Sequence, residues 1–78
     1  MIAYLVNGDD YIHYATLAEA HEAARFMGDG ASIERLKIAT DKATILRILN
    51  CQGGYVTATL ARWELTASGD LLAVAVEA

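Results

Sequence analysis

Proline is absent from this chain, cysteine occurs once, tryptophan and phenylalanine once each, and six basic residues stand against ten acidic ones. Each shortage closes a class of explanation. A single cysteine, Cys51, cannot staple the chain, so a disulfide-framed secreted scaffold is excluded and a reducing compartment is expected. The cations Arg25, Arg35, Lys37, Lys42, Arg47 and Arg62 are scattered, and the net charge is −4. That balance argues against nucleic acid as a direct partner. The longest apolar run, Leu71–Val76, is far too short to span a bilayer, so no membrane partner is expected. The opening Met-Ile-Ala-Tyr-Leu-Val-Asn has no basic segment and meets Asp9-Asp10 too soon for a signal peptide. The expectation is a soluble cytoplasmic protein.

What is present is apolar: 55% hydrophobic residues over 78 positions, alanine making up about a fifth of them. This is far from the composition of a disordered chain, and the length fits one domain spanning 1–78. A chain this short buries only a little over ~60% of the surface its unfolded form exposes, so pairing with another chain would help it. It is expected to be a monomer or a homodimer.

Two short apolar runs, 2–6 and 11–15, flank Asn7-Gly8-Asp9-Asp10, and Asn-Gly tolerates the positive φ of a hairpin turn. Thr16 followed three residues later by Glu19 has the spacing of a capping box, which starts a helix. Leu17, Ala20, Ala24 and Met27 recur on one helical stripe with Glu22 and Arg25 outside it, and Gly28 supplies the stop. Residues 32–39 alternate from Glu34 onward, so a strand is favoured over a short helix. Thr40-Asp41 caps a second helix carrying Ile45, Leu46, Ile48 and Leu49, which ends by Gly53-Gly54. From Tyr55 to Leu65 the apolar parity changes between Leu60 and Trp63, the mark of a bulge or of a strand covered on both faces. A turn at 67–70 leads to a last strand with Leu72, Val74 and Val76.

The order is therefore ββαβαββ, an α+β domain with a small antiparallel-dominated sheet and both helices, near 16–27 and 41–50, on one face. Leu17, Met27, Ile45, Leu49, Leu60 and Val74 are the expected core. On that reading Leu49→Ala would cost about 2–5 kcal/mol.

No arrangement of chemistry-bearing residues stands out. Asp9 and Asp10 are adjacent in a turn, whereas a general acid and base need two carboxyls in different environments. His13, His21 and Cys51 match no recurring zinc spacing, and the glycines at 28, 30, 53 and 54 follow helices instead of preceding them. Cys51 reads as a small buried residue, because a helix C-terminus disfavours a thiolate. The chain is expected to be no enzyme, to hold no metal and to need no cofactor.

If successive elements run antiparallel, the turn at 7–10 and the loops at 28–31 and 51–54 share one end, with Asp41 and Asp70 at the other. The shared end would carry Asp9, Asp10 and Asp29 beside two helix C-termini, with Tyr11 as an aromatic anchor. These four are the expected partner-binding residues.

The run Ile2-Ala3-Tyr4-Leu5-Val6-Asn7, then Thr16-Leu17-Ala18-Glu19-Ala20, in a very short acidic chain without a catalytic motif, resembles in build the small phage and mobile-element anti-CRISPR inhibitors of type I systems. The resemblance implies a protein of the bacterial host cytoplasm that binds a type I surveillance (Cascade) complex and keeps it from target DNA. It would do so sterically, with an acidic rim against a basic nucleic-acid-binding surface. The competing expectation is a small bacterial regulatory or structural protein-binding domain, a homodimer through an edge such as Leu71–Val76.

Overall fold

A computed structural model describes residues 1–7, 12–28 and 30–76. In chain order the elements are β1 (Ile2–Val6), β2 (His13–Tyr14), α1 (Leu17–Met27), β3 (Ser32–Ile38), α2 (Lys42–Leu49), β4 (Val56–Leu65) and β5 (Leu71–Val74). Every strand pair is antiparallel, and the five strands lie in the order β2-β1-β3-β4-β5. The chain is a small α+β domain in the expected element order.

Local chemistry sets the element ends. Thr16 Oγ1 accepts from the Glu19 amide at 3.2 Å and opens α1. Asp41 accepts from the Thr44 amide at 3.1 Å and from its hydroxyl at 2.6 Å, and opens α2. Gly28, at φ 83°, stops α1. At the end of α2 the Gln52 amide donates to Arg47 O and the Cys51 amide to Ile48 O, the bond pair of a Schellman motif. Cys51 therefore holds the left-handed position, φ 55°, that glycine usually takes. It is exposed there, which corrects its reading as a small buried residue.

Residues 32–38 form the strand that alternation favours. The parity change in β4 is a register shift: Arg35 faces Ala61 while Leu36 faces Thr59, so Leu60 is left out of the pairing. A second shift between Lys37 and Ile38 omits Thr57.

The core lies on β1 and β3, the middle of the sheet. Tyr4, Val6 and Ile33 pack with Ala20 and Ala24 of α1 and with Ala31, while Trp63 and Leu65 pack against them. Ala3, Leu36 and Ile38 form a second cluster with Leu5, Ile48 of α2 and Tyr55. Val6 pairs with Ile33 and Ala3 with Leu36, so the two clusters use opposite parities of the same two strands. α1 and α2 thus lie on opposite faces, which corrects the expectation of one shared face. The physical reason is in β1, apolar at all five positions and so able to bury both faces.

The expected core changes accordingly. Leu17, Ile45 and Val74 are half-buried, whereas Met27, Leu49 and Leu60 are exposed. Alanine takes their place: small residues at 20 and 24 let α1 approach the sheet closely.

Candidate functional site

The four expected partner-binding residues, Asp9, Asp10, Tyr11 and Asp29, lie outside the described residues. Their flanks are described. The Asn7 amide donates to Ser32 O at 2.9 Å and the Asn7 side-chain amide donates to Ser32 Oγ, so the start of one acidic segment and the end of the other meet at one end of the sheet. The 51–54 loop does not join them. β4 begins with Val56 beside Ile38, at the opposite end of β3 from Ser32.

What replaces it at the Ser32 end is the 66–70 turn. The Leu65 amide donates to Ala31 O at 2.9 Å, and His21 Nε2 of α1 lies 2.7 Å from Gly69 O. Asp70 therefore stands at the same end as the 28–31 loop, not opposite it. The zigzag assumption failed because α2 and the loop after it return the chain to the end where β3 finished.

Two described surfaces have the character of a contact site. On the outer side of α1, Glu19, Glu22 and Phe26 recur at three- and four-residue spacing and form one stripe. Phe26 is 89% exposed, the most exposed of the large apolar side chains described, and Tyr14 and Ala23 line the shallow depression beside it. Sequence reasoning passed over Phe26. The available signal was its position off the Leu17–Ala20–Ala24–Met27 stripe, on the side of Glu19 and Glu22.

The second surface is the flank of the sheet beyond α2. Leu72 and Val76 are exposed there, while Glu34 pairs across the strands with Arg62. β5 forms the border and carries no charged residue from Leu71 to Val74.

A cleft of about 290 Å³ lies between α2 and the β1–β2 hairpin, lined by Leu5, His13, Ile48, Cys51, Gln52, Gly53 and Tyr55. His13 Nε2 is 2.8 Å from Tyr55 Oη, the two rings meeting edge to face at 5.3 Å. Burial holds the His13 pKa below its ordinary 6.5, so the imidazole is neutral at pH 7. On the α1 face, Arg35 Nε donates to Tyr4 Oη at 3.0 Å and its guanidinium lies 5.5 Å from the ring centroid. That pair fixes the buried tyrosine's polar end. Among the described residues, no three of His, Cys, Asp and Glu gather as metal ligands, and no helix is long and apolar enough to cross a membrane.

Comparison with protein-family models, with curated proteins and with solved structures gave no match to this chain.

Proposed function

We propose that this is a non-catalytic binding protein that occupies a surface of a larger protein complex, with the outer side of α1 as its principal contact. The observation that carries the reading is Phe26, 89% exposed in line with Glu19 and Glu22. An exposed aromatic beside carboxylates is suited to an anchor that enters a partner's pocket while the charges meet lysines or arginines around it. The net charge of −4 steers such a chain toward a basic surface of the kind that holds nucleic acid. The resemblance in build to type I anti-CRISPR inhibitors makes the Cascade complex the partner to try first. Blocking would be steric, with Asp9, Asp10 and Asp29 adding to the acidic rim.

The test is target-DNA binding by a purified type I surveillance complex in the presence of this chain. The parent should suppress DNA binding, and Phe26→Ala should raise the concentration required by about tenfold or more, as loss of a central aromatic anchor does. Glu19→Gln with Glu22→Gln, and separately Asn at 9, 10 and 29, should weaken the effect mainly through slower association and leave the melting temperature nearly unchanged. If the parent leaves DNA binding untouched, the partner class is wrong. If Phe26→Ala inhibits as well as the parent, α1 is not the contact.

A further inference from the structure

We propose that two copies of this chain pair through β5, edge to edge and antiparallel about a two-fold axis at Ala73, to form one continuous sheet. The first observation is which backbone groups β5 leaves unused. The Leu65 amide points toward β3, donating to Ala31 O, and the next amide, Thr66, points the other way to Asp70 O. N–H direction alternates along a strand, so Arg62 and Glu64 share the direction of Thr66 and bond to β5. Their partners are Val74 and Leu72. Leu71 and Ala73 therefore turn their N–H and C=O groups outward, away from β4, at the free border of the sheet.

The second observation is the side chains. An exposed edge is ordinarily guarded by lysine, proline, a bulge or an inward-pointing charge. Leu71–Val74 has none of these, and its register with β4 is unbroken. Leu72 is 57% exposed on this strand, although it pairs with the charged Glu64.

The occupant follows from self-complementarity. A two-fold axis normal to the sheet keeps each face on its own side, so paired residues must share parity. Centring the axis on Ala73 sets Ala73 opposite its own copy and Leu71 opposite Ala75, which engages the outward backbone groups. The same register sets Leu72 of each copy against Val74 of the other, on one face, twice. Asp70 then falls opposite Val76, and no like charges meet. Centring on Leu72 would instead set Leu72 opposite its own copy and Val74 opposite Asp70, losing both Leu72–Val74 contacts. A second copy thus satisfies the backbone and covers the apolar side chains with the same residues.

The test uses the full chain. Sedimentation should give twice the 8.4 kDa of one copy, and amide exchange should be slow at Ala73 and Leu71 although both lie at the border of the single-copy sheet. Ala73→Pro removes the amide at the axis on the side facing solvent, where an edge strand tolerates proline, and Leu72→Lys places a charge in the apolar pair. Either variant should sediment at half the parent mass while retaining the parent's circular dichroism. Should Ala73→Pro fail to fold, Leu72→Lys carries the test alone. A parent that sediments at one-copy mass at its highest soluble concentration overturns the proposal. So does a dimer whose mass survives Leu72→Lys, or one whose Ala73 amide exchanges fast. A monomeric parent would leave the α1 proposal standing, because the two surfaces share no residue.

Discussion

At the scale of single residues, burial ranks the side chains differently from hydrophobicity. Ile33 is fully covered between α1 and the sheet, whereas Leu49 is 70% exposed. Ile33→Ala should therefore cost about 2–5 kcal/mol in a urea titration, and Leu49→Ala only about 0.5 kcal/mol or less. Equal losses would contradict the two-cluster core. His13 makes a pH prediction. Its folded pKa is depressed by burial, so the unfolded chain takes up a proton near 6.5 while the folded chain does not. Stability should be level above that value, fall as pH drops below it, and stop falling once the folded form also protonates. Denaturant midpoints measured from about pH 7.5 to about pH 5.5 should show this fall, and His13→Gln should flatten it.

The elements were legible where their own residues sufficed. Thr16, Gly28 and Asp41 act on backbone groups within four residues, and each does what its type predicts. The bulge at Leu60 was readable as a parity change, since a skipped residue reverses alternation beyond it. Cys51 was not readable as a cap, because nothing in sequence marks a non-glycine residue forced to φ 55°. Cys51→Gly should relieve about 1 kcal/mol of left-handed strain and raise the melting temperature by about 4–8 °C. Cys51→Val should lower it, since a β-branched residue fits that conformation worst. A thermal melt of the three proteins decides the matter.

At the scale of the whole molecule, the chain leaves Phe26, Leu49 and Leu72 more than half exposed. A small domain that shows so much apolar surface has reason to associate. If the β5 border pairs with its copy, unfolding is coupled to dissociation. The melting temperature should then rise with protein concentration for the parent and stay constant for Leu72→Lys.

By itself the sequence determined the kinds and order of the elements, because caps, alternation and helical stripes act over a few residues. It also determined the acidic balance and the single thiol. Only the tertiary structure decided which face each helix covers, since both helices have an apolar side and β1 is apolar on both of its own. The same holds for the ends at which the loops gather. Those depend on where β4 enters beside β3, a contact between residues far apart in the chain that no local pattern encodes. Phe26 was legible only in part: its place off the Leu17–Ala20–Ala24–Met27 stripe marked it as outward, but its full exposure follows from the packing of α1 through Ala20 and Ala24.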